Sequence, residues 1–333
     1  MRSVPKLSSG LLAGLGTFAL CAPAPAQDTA LSGTLIVLNK SDDTASFIDL
    51  DSGDSLATLP TGMNPHELVV TSDGRFAVGT NYRGGDSLTV FDVQDLNVLR
   101  TIDLGAHPAP HGIRLLPGEE TVIVTTEGSN ETLVVEIESG RIVSVVDTQM
   151  PGSHMVAIPS DARVAYTANT AGNSVSIIDV AAGRTTRTLD VPPQPEAIAT
   201  NGAGTDIWVG SNAQGVVSVV DAASGRARMQ LPGFSWPYRI LLIDDERRVV
   251  IPDARRETLA VFDTGTGEKL REIALTGAGP QGIAPYRDDG ILFVALSRQG
   301  KVLAIDSGTL ETLREYATGA GPDGIGYSPL KLR

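Results

Sequence analysis

Val175-Ser176-Ile177-Ile178-Asp179 is a short β-branched run closed by an acidic residue, and the same pattern recurs along the whole chain. It is seen in Ser46-Phe47-Ile48-Asp49, Leu88-Thr89-Val90-Phe91-Asp92, Leu133-Val134-Val135-Glu136, Val217-Ser218-Val219-Val220-Asp221, Leu259-Ala260-Val261-Phe262-Asp263 and Val302-Leu303-Ala304-Ile305-Asp306. The closing acids stand 43, 44, 43, 42, 42 and 43 residues apart. Seven units of that length, rich in short β-branched runs and Gly/Asp/Asn turns, predict an all-β fold: a seven-bladed β-propeller with four-stranded blades. A helical solenoid of similar period needs a 3.6-residue apolar periodicity, and no stretch shows one.

The strands follow from one unit. Strand a starts near His66 and runs to Val70, and Ser72-Asp73-Gly74 turns the chain. Strand b spans about 75–80, strand c 87–92 and strand d about 98–103. Asp-Gly and Ser-Gly pairs between runs supply residues that tolerate positive φ. The first unit lacks strand a, because Thr34–Leu38 already reads as strand b, whereas the chain ends on a surplus strand a at Gly324–Ser328. N-terminal strands b, c and d plus the C-terminal strand a therefore complete one blade, and the closed ring has no open sheet edge. Residues 27–333 form one domain.

One residue per unit opens strand a, usually after proline: His66, His111, His154, Glu196, Tyr238, Gln281 and Asp323. They lie 17, 19, 18, 17, 17, 18 and 17 residues beyond the preceding acid, so the register is consistent. Strand a is innermost in a propeller blade, which puts these side chains at one mouth of the central channel. A second polar ring, at the end of strand b, reads Asn39, Asn81, Glu127, Asn169, Asn212, Asp253 and Ser297. Three of the chain's four histidines thus share one position in neighbouring repeats.

Imidazole is the commonest side-chain ligand of zinc, copper and iron, and three neutral imidazoles bind a metal while leaving positions open. His66, His111 and His154 are therefore expected to hold one transition metal ion, copper or iron, with zinc as the alternative. Glu196 is a fourth ligand or an acceptor that fixes an imidazole tautomer, and Glu127 and the Asn ring are further candidates for that supporting role. Asp323 and Tyr238 face the metal as proton-transfer groups, with Gln281 beside them where a small-molecule substrate sits. Other signals are weaker. His107 precedes His111 in a loop and is a lesser ligand candidate. His66-Glu67-Leu68-Val69-Val70 begins like a zincin motif but has no second histidine. Asp49-Leu50-Asp51-Ser52-Gly53 lacks the bidentate Glu of a calcium loop and reads as a c–d turn. Trp208 and Trp236-Pro237-Tyr238 are candidates for an apolar wall of the cup, and Arg83 and Arg239 for contacts to an anionic substrate.

The phrases Thr71-Ser72-Asp73-Gly74-Arg75-Phe76-Ala77-Val78-Gly79-Thr80-Asn81, Val164-Ala165-Tyr166-Thr167-Ala168-Asn169 and Ile207-Trp208-Val209-Gly210-Ser211-Asn212 resemble the YVTN repeat. So do the starts Pro195-Glu196-Ala197-Ile198 and Pro280-Gln281-Gly282-Ile283. Across about residues 34–328 the chain resembles bacterial YVTN/YncE-like seven-bladed propellers. That resemblance implies the fold, and a superfamily shared with the heavy subunit of quinoprotein amine dehydrogenases and the propeller of nitrous oxide reductase. It implies no metal, since members mostly lack a histidine triad, and little about activity, because propellers host unrelated functions.

Arg2 and Lys6, an apolar run from Leu11 to Leu20 and Ala24-Pro25-Ala26 read as a secretory signal over residues 1–26, too short for a membrane anchor. A periplasmic or secreted protein is expected. Cleavage removes the single cysteine, Cys21, leaving no thiol ligand, and leaves 24 basic against 39 acidic residues, a net charge of −15. Such a chain repels nucleic acid and anionic lipid, and the partner its charge favours is a basic redox protein. Two classes of function follow. The first is a copper- or iron-dependent oxidoreductase acting on a small molecule, with zinc-dependent hydrolysis or lyase chemistry as its variant. The second is a non-enzymatic binding or scaffold propeller.

Overall fold

In the computed structural model, Met1 and residues 31–287 and 290–332 are described. The expected signal segment and Cys21 lie outside the described residues. Residues 31–333 form a compact unit, built from seven four-stranded antiparallel sheets. Each strand is short because Gly, Asp and Asn turns interrupt the apolar runs every six or seven residues. Blades 1 to 6 lie in chain order from Pro65, and blade 7 joins Pro322–Ser328 to Thr34–Asn39, Thr44–Asp49 and Ser55–Pro60. The closing pair runs antiparallel, with Thr34 opposite Ser328 and Ile36 opposite Gly326. Ring closure thus occurs as the sequence predicts, with strand a two residues longer than expected at its start.

Strands b and c are buried almost throughout, whereas strand d alternates between exposed and partly buried residues. The core therefore sits between blades. Ile113 and Val124 of blade 2 pack against Val78 and Val90 of blade 1, and the same layering repeats around the ring. Trp208, expected in the wall of the cup, instead packs between blades 4 and 5 with Val217, Val249 and Ile251. An indole at the centre of strand b faces the neighbouring sheet, not the axis.

The innermost strands carry the feature that shapes the site. Pro65 pairs with Asn81 but Leu68 with Gly79, so strand a holds one more residue than strand b across that interval. The same extra residue occurs after Pro110, Ser153, Pro195, Pro280 and Pro322. A bulge bends its strand and re-aims the side chain it carries, and here those are His66, His111, His154, Glu196, Gln281 and Asp323. Blade 5 differs: its strand a is only Leu241–Ile243, preceded by an isolated bridge between Pro237 and Asp253. The Tyr238 N–H reaches the Pro252 carbonyl at 2.9 Å, so the missing N–H of Pro252 faces the same strand and the ladder cannot extend. Tyr238 therefore precedes its strand instead of opening it.

Close approach between innermost strands also requires glycine. A Cβ at Gly324 would stand 2.5 Å from the His66 carbonyl oxygen, and one at Gly112 would stand 2.7 Å from Met155 Cα. Two outcomes are expected. Truncation before Pro322 leaves Thr34–Asn39 as an unpaired edge, and the product should lose its single cooperative unfolding transition and aggregate, as read by calorimetry and light scattering. Gly324→Ala should lower stability by about 1–3 kcal/mol in denaturant titration, because the backbone carrying His66 must move.

Candidate functional site

The bulges bring the three histidines into contact. The rings of His66 and His111 lie 5.0 Å apart, and His111 stacks on His154 at 3.7 Å with 29° between planes. Tyr82 closes the group, 4.9 Å from His66, 4.7 Å from His111 and 6.2 Å from His154. Two strand-b hydroxyls hold the backbone beneath. Thr80 accepts the Glu67 N–H and donates to the His111 carbonyl, each at 3.0 Å. Thr125 accepts the Gly112 N–H at 2.9 Å and donates to the His154 carbonyl at 2.6 Å. Each hydroxyl satisfies an N–H that a bulge frees and ties one blade to the next.

Partners at Nδ1 fix two of the tautomers. His66 donates from Nδ1 to the Asn64 carbonyl at 3.1 Å, and His154 donates from Nδ1 to Glu127 Oε2 at 2.9 Å. In the neutral form of either ring, Nε2 then carries the lone pair. The two Nε2 atoms stand 4.0 Å from Asp323 Oδ2 and 3.9 Å from Glu196 Oε1, beyond hydrogen-bond reach. His111 is buried and its Nδ1 has no partner among the described residues. Burial brings the His66 pKa down to about 4. Burial, then the neighbouring His154 and His66, drives His111 well below the usual histidine range. Both rings are neutral at pH 7, the form that presents a lone pair.

The carboxylates differ in their surroundings. Burial alone would raise Glu127, but His154, the Tyr82 hydroxyl that donates to it and Arg83 outweigh burial and hold it at about 2. Burial raises the Tyr82 hydroxyl in turn, and Glu127 adds to that. Burial raises Glu196, which accepts from Trp236 Nε1 at 2.9 Å and from Asn212. Asp323 is fully buried, and burial would raise it, but Lys40, Arg239 and His66 outweigh that and lower it. Its Oδ2 accepts from Tyr238 at 2.8 Å and Lys40 at 3.0 Å, while Oδ1 has no partner among the described residues. Lys40 also donates to Gln281 at 2.8 Å. Tyr238 is buried, and burial followed by Asp323 raises its hydroxyl well above the tyrosine range.

All seven residues expected to open strand a therefore reach this mouth or its floor, but the second ring divides. Asn39, Asn81 and Asn169 turn away from the axis and donate to hydroxyls at the start of strand c, Ser87 and Thr89 in the case of Asn81. Asp253 caps the Ser235 and Trp236 N–H groups. The strand ends at Asn39, Asn81, Thr126, Asn169, Ser211 and Asp253, and it is the next residue that faces the axis. Glu127, Asn212 and Ser297 belong to that later position, and so do Lys40 and Tyr82, which the sequence reading passed over. Strand alternation was the available signal: counting from each strand end places Lys40 and Tyr82 beside Glu127. His107 is held by Glu131, with Nδ1 to Oε2 at 2.6 Å. Arg83 is exposed, 3.6 Å from Glu127 Oε1. Arg239 is buried and pairs with Glu67 from blade 1, across the channel from its own blade. Asp49 and its counterparts accept N–H groups of the c–d turns, as at Asp51 and Ser52.

Among the described residues, no three His, Cys, Asp or Glu side chains are already arranged as a metal-holding group. The stacking of His111 on His154 gives the reason, since face-to-face rings do not aim their nitrogens at one point. The arrangement as it stands offers imidazole lone pairs, three carboxylates in contrasting environments and an ammonium within one polar cup. That combination suits ion binding and proton transfer.

Residues 29–158 match the model of a family described as lactonase, 7-bladed beta-propeller. No curated protein is a match. Among solved structures, the chain is similar to hydrazine synthase of Kuenenia stuttgartiensis, with 18% identity over 89% of this chain and 100% of that one and a TM-score of 0.73. A functionally unknown protein from Desulfotomaculum acetoxidans gives 14% identity, 89% and 99% coverage and a TM-score of 0.75. A putative 6-phosphogluconolactonase from Bacteroides fragilis gives 16%, 91% and 99%, and 0.71. At such identities the likeness establishes the fold, a seven-bladed β-propeller. The hydroxyl brace yields a check on the site: Thr125→Val strands the Gly112 N–H and the His154 carbonyl, and should lower stability by about 1–3 kcal/mol in denaturant titration.

Proposed function

We propose that the cup is a metal site, with copper or iron held by Nε2 of His66 and His154 and by His111, and with Glu196 assisting. The observation that carries this reading is the pair of Nδ1 hydrogen bonds at His66 and His154, which leave both Nε2 lone pairs free within one cluster of touching rings. Donation of the second ring nitrogen to a carbonyl or carboxylate is how metal-binding imidazoles are oriented. The gaps of 4.0 and 3.9 Å from these Nε2 atoms to the nearest carboxylates leave both lone pairs without a hydrogen-bond partner there, open to an ion. His111 would turn off the face of His154 to join them.

In this reading the chain is an exported, YVTN/YncE-like propeller acting as an oxidoreductase on a small molecule. The quoted repeats, the N-terminal segment and the thiol-free mature sequence support it. The substrate would lie over Tyr238, Gln281 and Asp323, with Asp323 Oδ1 as the free acceptor and Tyr238 and Lys40 holding the other oxygen. A basic redox protein is the electron partner that the acidic surface favours. A second reading, zinc with a metal-activated water attacking an ester or lactone, is favoured by the lactonase match over 29–158, which includes all three histidines.

Metal analysis of purified protein tests the site. Close to one equivalent of copper or iron is expected. His66→Ala and His154→Ala should each weaken binding, and the conservative Glu127→Gln should weaken it about 10- to 100-fold, as loss of an outer-shell partner does. Protein that takes up none of copper, iron or zinc would end the metal reading and leave a binding scaffold. Zinc uptake with metal-dependent lactone hydrolysis would favour the second reading over the first.

A further inference from the structure

The opposite mouth of the channel carries a guanidinium without a counter-charge. Arg114 lies on the innermost strand of blade 2, Pro110–Leu115, pointing away from the histidine cup. It borders a cavity of about 880 Å³ at the far face and a smaller one of about 100 Å³ deeper in the channel. One hydrogen bond is made, from Nη1 to the Ile113 carbonyl at 2.8 Å. Burial lowers its pKa, and no carboxylate offsets that effect. The acid in the smaller cavity, Glu67, is already paired with Arg239. Glu119 and Glu246 stand on the rim of the larger cavity, but Glu119 holds the Ser72 N–H and hydroxyl, both at 2.9 Å, and Glu246 holds the Gly202 N–H.

Arg114 is half-buried, and a partly desolvated guanidinium gains from an anionic partner. The chain has a net charge of −13, yet among the described residues no carboxylate forms an ion pair with Arg114, and those lining the two cavities are held by other groups. Apolar wall around Arg114 comes from Leu115, Ile158, Ala199, Ile240, Leu241 and Leu242, with Ser160, Thr200 and the rim carboxylates as the polar part. An apolar pocket with one fixed, fork-shaped cation selects a ligand with an oxyanion at one end and a hydrocarbon body.

We propose that this far mouth binds a small organic carboxylate, its anionic end on Arg114 and its apolar body against the Leu115–Ile240–Leu242 wall. The site is separate from the cup, so it stands whether or not the cup holds a metal.

Calorimetric titration of the purified protein with butyrate, and with inorganic phosphate for comparison, at constant ionic strength, provides the test. Saturable butyrate binding is expected, with phosphate weaker because it gains nothing from the walls. Arg114→Gln should weaken butyrate binding about 10- to 100-fold, the worth of a hydrogen-bonded charge partner. Arg114→Lys should keep part of the affinity. Leu242→Asp, which leaves Arg114 in place and adds a like charge to the wall, should also weaken binding if the glutamine variant fails to fold. His154→Ala should bind butyrate as the wild type does. Absence of saturable butyrate binding, or binding that survives both Arg114→Gln and Leu242→Asp but is lost in His154→Ala, would overturn the proposal.

Discussion

The pairing of Thr34–Asn39 with Pro322–Ser328 is the constraint on which the molecule depends. Six blades left open would present two sheet edges and could spread or twist independently. Joining the ends fixes the number of blades, and with it a common axis. Only then do six similar bulges in separate strands aim six side chains at one another. Residues as far apart in sequence as His66 and Asp323 come within 4.0 Å through that closure, and Lys40, from the other partner of the pair, reaches the same carboxylate. The chemistry of the cup is therefore a property of the ring, and no single repeat contains it.

Near-symmetry of the backbone contrasts with asymmetry of charge. Blades 1 to 3 offer imidazoles to the axis, while blades 4 to 7 offer carboxylates, a phenol, an amide and, from Lys40, an ammonium. Groups so close would repel or remain unpaired if the blades carried identical residues. Instead several axial charges find partners on another blade: Asp323 with Tyr238, Glu67 with Arg239, Glu127 with Tyr82 and His154; Lys40 pairs with Asp323 within blade 7. Pairs spanning blades hold the ring together, and they also set which groups stay neutral. His66 is neutral because burial outweighs the attraction of Asp323, and His111 because burial and the neighbouring histidines and cations all disfavour a charge there, whereas Lys40 and Arg239 outweigh burial at Asp323 and keep it charged.

Spacing in the sequence was enough to read the ring, its closure and the residues that open strand a, because period and turn chemistry survive divergence of everything else. Register within a strand was harder. Asn39, Asn81 and Asn169 look equivalent to Glu127 by eye, yet one residue separates the position that caps strand c from the position that faces the axis, and alternation puts them on opposite sides. Lys40 and Tyr82 were missed for that reason. Trp208 and Tyr238 show a second limit. An aromatic near the channel in sequence packs wherever the neighbouring sheet leaves room, and Pro252, on the adjacent strand b, decides where the short strand of blade 5 begins. Arg114 carries no motif at all. Its isolation is visible only once the surrounding walls are known.

The two mouths of the channel are chemically distinct because the middle is crossed by side chains. Tyr238 of blade 5 meets Asp323 of blade 7, and one residue further along Arg239 meets Glu67 of blade 1. Arg239 also lies over the Tyr238 ring at 4.2 Å and donates to the Tyr238 carbonyl, so the two crossings are mechanically one unit. Breaking either pair would leave a buried charge, which opposes opening. These crossings separate the histidine cup from the apolar walls below, and of the two pairs only Glu67 and Arg239 border the small cavity beside Arg114. With a central channel crossed in this way, the ring presents two chemically different mouths. Of the short irregular segment Trp236 to Arg239, Arg239 also lines the deeper cavity beside Arg114.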